Sequence, residues 1–293
     1  MARRIGIDLG GTKIEGAVLD EAGGPVERRR LATDQDRGYD HIVDAVGGLV
    51  DTLRPLAPDC RSIGVGTPGA ISSRTGLMKN SNTLCLNGRD LAGDLRTRIG
   101  LPIVLENDAN CFALAEAVTG AARGARVVFG IIMGTGVGGG LVIDGRIWSG
   151  PQHIAGEWGH HSIDPNGPRC YCGQRGCVES LISGPAVQRQ YRERTGVELS
   201  MDELVARARA GEPAARDVFD AFIDRFGRAV ANLISILDPD VIVLGGGLSN
   251  IDELYDAGRA AVGRYVFNDE LRTRICRNTH GDSAGVLGAA LLT

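Results

Sequence analysis

Three cysteines fall within eight residues, Cys170-Tyr171-Cys172-Gly173-Gln174-Arg175-Gly176-Cys177, shortly after Glu157-Trp158-Gly159-His160-His161. Clustered thiols in a chain whose start lacks the apolar core of a signal peptide point to a metal site rather than a disulfide framework. One imidazole and three thiolates form a closed zinc set. Spacing alone leaves open whether His160 or His161 joins Cys170, Cys172 and Cys177. The glycines between Cys172 and Cys177 suit a tight turn that aims several sulfurs at one point. Glu157 and Glu179 flank the set without being needed to complete it. The expectation is a Zn2+ staple that holds two carboxylates in place.

Glycine turns at strand ends are the next chemical signal. Asp8-Leu9-Gly10-Gly11-Thr12-Lys13 follows the apolar run Ile5–Leu9. It is neither a P-loop nor a GxGxxG turn opening a long helix. A plain hairpin would explain it. The chemical reading is that Gly10 and Gly11 let backbone N–H groups approach phosphate oxygens, with Thr12 adding a hydroxyl and Lys13 a charge. Asp8 could hold Mg2+ through water. Gly134-Thr135-Gly136-Val137-Gly138-Gly139-Gly140 follows Val127–Met133, but continues into Leu141–Ile143 and an Asp144-Gly145 hairpin, unlike a dinucleotide unit. A third run, Gly245-Gly246-Gly247, follows Val241–Leu244 and suits close approach to a flat nucleoside. Three such turns facing one cleft predict a nucleoside triphosphate site.

Glu106-Asn107-Asp108-Ala109 sits where the strand 103–105 meets a helix. Asn107 or Asp108 could simply cap that helix. Asp108 could also take a proton from an attacking hydroxyl, as the base does in other phosphoryl transfers. Glu157 and Glu179 could each accept two sugar hydroxyls through charge-assisted bonds. His160 could give one nitrogen to zinc and the other to substrate.

The elements that must position these groups alternate along the chain. Strands are expected at 5–9, 14–19, 26–31, 62–66 and 103–105, with helices at 42–53, 91–99 and 109–118. A second strand–glycine turn–strand unit starts near residue 126, a faint internal repeat of structure. An irregular insert, 151–183, carries the cysteines. A long helix at 212–237, a strand at 240–244, a helix at 251–266, a strand at 272–276 and a closing helix at 284–292 follow. The fold class is α/β with mixed sheets. Two domains are expected, 1–118 with the returning segment 282–293, and 119–281.

The 293 residues carry a formal net charge of −4. Arg28-Arg29-Arg30 is the densest basic run and reads as a solvated strand edge, so nucleic acid is not expected as a partner. No apolar stretch reaches the roughly 18 residues that span a membrane, so no membrane association is expected. Localisation is expected to be cytoplasmic. Cys60, Cys85, Cys111 and Cys276 read as ordinary small buried residues.

The chain resembles the ROK family of sugar kinases, in the acetate kinase, hexokinase and actin superfamily. The likeness covers the whole chain and rests on Asp8–Lys13, Gly134–Gly140, Gly156–His160 and Cys170–Glu179. It implies two actin-like domains with an interdomain active-site cleft, and transfer of the γ-phosphoryl of ATP, with Mg2+, to a hexose hydroxyl. Residue by residue, Asp108 matches the family's base and Asn107 a neighbouring sugar contact. Glu157, His160 and Glu179 match sugar-binding positions. His160, Cys170, Cys172 and Cys177 match zinc ligands, which favours His160 over His161. A homodimer through the second domain is implied as well. Repressors of the family carry a helix-turn-helix before the first glycine loop, and Asp8 comes too early for one. Lys79–Gly88, which includes Asn82 as a sugar contact, together with Glu157–His160 and Thr279–Gly285, resembles the bacterial fructokinases (the manno(fructo)kinase type). That implies fructose as the acceptor, with N-acetylglucosamine or glucose kinases as the alternatives and a non-catalytic sugar sensor as a more distant one.

Overall fold

The computed structural model describes residues 2–293; Met1, which opens the first expected domain, lies outside them. In chain order the elements begin β1 (Arg4–Leu9), β2 (Lys13–Leu19), β3 (Pro25–Ala32), α1 (Tyr39–Leu53), β4 (Ile63–Thr67), β5 (Ala70–Ile71), β6 (Met78–Lys79), α2 (Leu91–Ile99), β7 (Ile103–Asn107) and α3 (Asp108–Val118). They continue with β8 (Val127–Met133), β9 (Val137–Ile143), β10 (Arg146–Ile147), α4 (Val178–Ile182), α5 (Gly184–Thr195), α6 (Met201–Arg209) and α7 (Pro213–Leu237). The last are β11 (Val241–Gly245), α8 (Ala257–Tyr265), β12 (Arg274–Arg277) and α9 (Ala284–Ala290).

Two five-stranded sheets share one strand order, β3-β2-β1-β4-β7 and β10-β9-β8-β11-β12. Each begins with an antiparallel hairpin and adds parallel strands on the far side. The repeat expected from the glycine turns is therefore a repeat of topology. In the first sheet Ile5, Ile7, Leu9, Ile14 and Val18 are fully buried with Ile42, Val46, Val50 and Leu53 of α1. The hydrophobic effect thus anchors the strand from whose end Asp8 projects. β3 lies at the sheet edge, with Arg28, Arg29 and Arg30 largely exposed there, as their run predicts.

Two elements differ from expectation. The strand after the second glycine turn begins at Val137, so Gly138, Gly139 and Gly140 lie within β9. A Cβ on Gly140 would stand 2.5 Å from the Ala109 carbonyl oxygen of α3, so this glycine serves close packing rather than a loop. The helix expected over 251–266 is split. A 3-10 turn at Asp252–Leu254 comes first, and Asp256 restarts the chain as α8 by accepting the Ala257 N–H. Side chains hold the break: Tyr255 donates to the Ser249 carbonyl at 2.6 Å, and Arg277 grips Asp252 at 2.7 Å.

The chain divides into two compact units, one of Met1–Gly124, Gly140–Ala155 and Thr279–Thr293, the other of Ala125–Gly139 and Gly156–Asn278. The expected division at residue 118 leaves out Gly140–Ala155 from the first unit. Three contacts bind that segment there: Gly140 against α3, Ser149 donating to Glu106, and Lys79 donating to the Gln152 carbonyl. Among the described residues, no helix is long and apolar enough to cross a membrane.

Candidate active site

In the first unit, regular elements place the acidic groups. Asp8 and Glu15 face each other across the β1–β2 ladder. The turn between these strands is closed by the Gly10 N–H on the Lys13 carbonyl at 2.9 Å, and Thr33 donates to the Gly10 carbonyl at 2.7 Å. The first turn of α9 packs so closely that a Cβ on Gly285 would lie 2.7 Å from an Asp8 oxygen. Burial pushes the Asp8 carboxyl up to about 7, and the Asp108 and Glu15 charges add to the rise against Lys13 and Arg30. Mutual repulsion in a desolvated place is what a divalent cation relieves, so Asp8 fits a water-mediated Mg2+ contact.

Asp108 is half-buried in the first turn of α3. The helix cap falls on Asn107, next to the residue expected to act as base. Asn107 Oδ1 accepts from the Ala109 and Asn110 N–H groups at 2.9 and 3.3 Å, and its Nδ2 donates to the Gly69 carbonyl at 3.0 Å. Asn107 thus holds the joint, keeping one amide hydrogen for a ligand. Asp108 accepts its neighbour's N–H at 2.8 Å. Glu106, for which the sequence carries no separate signal, locks the same joint. It accepts from the Asn107 N–H (2.8 Å), Asn110 Nδ2 (3.0 Å) and Ser149 Oγ (2.8 Å). Asn82 is exposed beside the fully buried Thr83. Cys111 is buried in this unit, and desolvation raises its thiol well above the ordinary range, as an inert core residue should be.

In the second unit the acidic groups sit on short irregular pieces. Glu157 precedes a 3-10 turn, Trp158–His160, and Glu179 lies in the first turn of the five-residue α4. Their frame is the thiol cluster. The ligand atoms of His160, Cys170, Cys172 and Cys177 all lie within 4.8 Å of one another. Cys170 Sγ is 3.6 Å from His160 Nδ1, and Cys172 Sγ is 3.5 Å from Cys177 Sγ. Zinc bonds of about 2.3 Å to sulfur and 2.0–2.1 Å to nitrogen give tetrahedron edges of about 3.6–3.8 Å. The donor set therefore fits Zn2+, and the sulfurs are too far apart for disulfides. His161 turns elsewhere, its Nε2 3.3 Å from Asn232 Nδ2. The choice that spacing left open falls to His160.

The cluster is tied to the second glycine turn. Glu179 Oε2 accepts the Val137 N–H at 3.0 Å, and the Gly184 N–H donates to the Gly134 carbonyl at 2.9 Å. Trp158 is buried edge-on against Phe129 and donates to the Gly138 carbonyl at 3.0 Å, whereas Trp148 is exposed. Thr135 is exposed at the tip of the turn, flanked by Gly134 and Gly136. In the third run, Gly245 ends β11 and Gly246 has φ +76° with a would-be Cβ 2.3 Å from the Met133 carbonyl. Gly246 is thus demanded by the chain itself, while a Cβ on Gly247 would meet open space.

Two further groups carried no sequence signal. Glu15 is 1% exposed and accepts from its cross-strand neighbour Arg30 (2.7 Å) and from the distant Ser283 (2.9 Å). Fully buried Glu116 accepts the Thr279 and His280 N–H groups, each at 3.0 Å, where the chain returns to the first unit. His280 Nε2 lies 2.9 Å from Thr119 Oγ1 in the same unit.

The ROK family model matches residues 4–293. Curated relatives along nearly the whole chain include N-acetyl-D-glucosamine kinases; that of Photobacterium profundum is 36% identical over 297 residues, covering 98% of each chain. The ROK hexokinase of Thermus thermophilus superposes with a TM-score of 0.90 at 33% identity, covering 99% of this chain and 97% of that one. A ROK family glucokinase from Streptomyces griseus, in complex with glucose and AMPPNP, gives a TM-score of 0.82 at 30% identity and covers 99% of both.

Proposed function

This chain belongs to the ROK family of ATP-dependent sugar kinases, and we propose that its acceptor is an N-acetylhexosamine, N-acetyl-D-glucosamine first. The observation that carries the choice is the identity of the relatives matched end to end, which are N-acetyl-D-glucosamine kinases with an N-acetylgalactosamine kinase among them. They move the reading from fructose to the alternative.

The first unit supplies the proton acceptor and the metal contact. Asp108 takes the proton of a primary sugar hydroxyl as its oxygen bonds to the γ-phosphorus of ATP. The bond from that phosphorus to the bridging oxygen breaks, and ADP leaves with the electron pair. Asp8 orients Mg2+, whose charge offsets that on the phosphate oxygens. The turns at Gly10–Lys13 and Gly134–Gly138 offer N–H groups to phosphates, and Gly247 gives the nucleoside room. In the second unit Glu157, Glu179 and His160 hold ring hydroxyls. His160, Cys170, Cys172 and Cys177 hold Zn2+, which fixes the loop bearing these groups.

The test is ADP release with N-acetylglucosamine, N-acetylgalactosamine, N-acetylmannosamine, glucose, mannose and fructose. The expected order of kcat/KM places N-acetylglucosamine first. Fructose exceeding it tenfold would return the assignment to fructokinase.

A further inference from the structure

The hydrogen-bonding edge of His160 that the proposed function gives to substrate is already occupied. Tyr171 projects from the cysteine loop, between Cys170 and Cys172, and its hydroxyl lies 3.0 Å from His160 Nε2. The two rings meet edge to face, 84° apart with centroids separated by 5.0 Å. His160 Nδ1 faces the Cys170 sulfur, so with zinc on Nδ1 the hydrogen would be on Nε2, a single donor. A single donor serves one acceptor well at a time. Glu157 Oε2 is 4.0 Å from the same nitrogen. The Tyr171 hydroxyl thus holds the nitrogen, with the Glu157 carboxylate next to it, that suits a sugar hydroxyl. Yet Tyr171 as a whole is 82% exposed. Little packing holds the ring, and its position is set by the contact with His160.

We propose that Tyr171 is an internal stand-in for a sugar hydroxyl: it occupies His160 Nε2 in the sugar-free protein and must swing out when sugar binds. This rests on the reading that His160 contacts sugar. The device weakens sugar affinity, because every binding event first breaks the Tyr171–His160 bond. It also keeps the imidazole edge satisfied and oriented between turnovers.

The test compares wild type with Tyr171→Phe, which keeps the ring and removes the hydroxyl. Calorimetry with N-acetylglucosamine, glucose and fructose reads sugar affinity, and metal analysis reads zinc content. The expected result is roughly two- to tenfold tighter sugar binding in the variant, the range of one net hydrogen bond. Zinc content and kcat should be unchanged. Unchanged affinity would overturn the proposal. Weaker binding would do so too, by making Tyr171 a sugar contact, and zinc loss would make it a support for the ligand set. If wild type holds zinc but binds none of the sugars, the sugar-kinase assignment fails and this proposal with it. If both proteins bind equally, only the proposal fails.

Discussion

Asp8 and Asp108 of the first unit hang on a strand end and a helix start that are complete without any ligand. Glu157 and Glu179 of the second hang on a 3-10 turn and a five-residue helix. Elements that short have little stability of their own. What fixes them is the thiol cluster and the Glu179–Val137 bond. The first arrangement buries charge and bears an electrostatic cost. The second keeps Glu157 more exposed and depends on cross-linking. Damage to the first should therefore change the chemical step and the pH dependence of stability, and damage to the second should change binding.

The largest expected effect lies in the first unit. Asp108→Asn keeps the shape and loses the proton acceptor, so kcat should fall roughly 10²–10⁴-fold. Calorimetric sugar binding should persist, because the grip belongs to the other unit. A near-normal kcat at saturating MgATP would remove Asp108 as base and erase the contrast.

Asp8→Asn tests the cost of burial in the same region. Between its unfolded value near 4 and its folded value of about 7, Asp8 holds a proton in the folded state that the unfolded chain releases. Folding stability should fall as pH rises through that window. Asp8→Asn should therefore stabilise the metal-free protein by about 2–4 kcal/mol at pH 8 and by little near pH 4. Activity should drop at the same time. Urea unfolding at the two pH values measures it; equal stabilisation at both would show that burial of the Asp8 charge carries no cost.

A smaller effect is expected from Cys172→Ser, which attacks the second region through its most exposed ligand. Zinc should be lost and sugar KM should rise about 10- to 100-fold, the usual range when a metal site is loosened, with kcat much less affected. Metal analysis alongside kinetics decides it. An unchanged sugar KM in zinc-free protein would show that Glu157 and Glu179 hold their places without the cluster.

What could be read from the sequence follows the same division. Hydrophobic alternation and glycine turns are local, so β1, β2, α2, α3 and β8 lie where spacing predicts them, and the thiol set is compact in sequence. Glu15–Ser283 and Glu116–Thr279 are invisible there, since these partners lie 268 and 163 positions apart in the chain. Glycine runs are legible as close approaches but not as to what approaches. Gly140 meets α3 and Gly246 meets the Met133 carbonyl, whereas Gly247 stays open. Tyr171 is silent in the sequence for a similar reason: its contact with His160, eleven positions away, is encoded by no motif.

Glu179 joins the cluster to a glycine turn, so its two substitutions can separate support from grip. In Glu179→Gln the amide oxygen can still accept the Val137 N–H now held at 3.0 Å. What disappears is the negative charge, and with it the extra strength of a charge-assisted bond to a sugar hydroxyl. Sugar KM should rise about three- to tenfold, one weakened hydrogen bond, while ATP KM and kcat stay near wild type. Glu179→Ala also leaves the Val137 N–H without its partner at the end of the turn, so ATP KM should rise with sugar KM. Initial-rate kinetics with each substrate varied in turn distinguish the two. If Gln and Ala raise both constants equally, Glu179 is only a support for the turn and the sugar grip must be sought at Glu157 and His160.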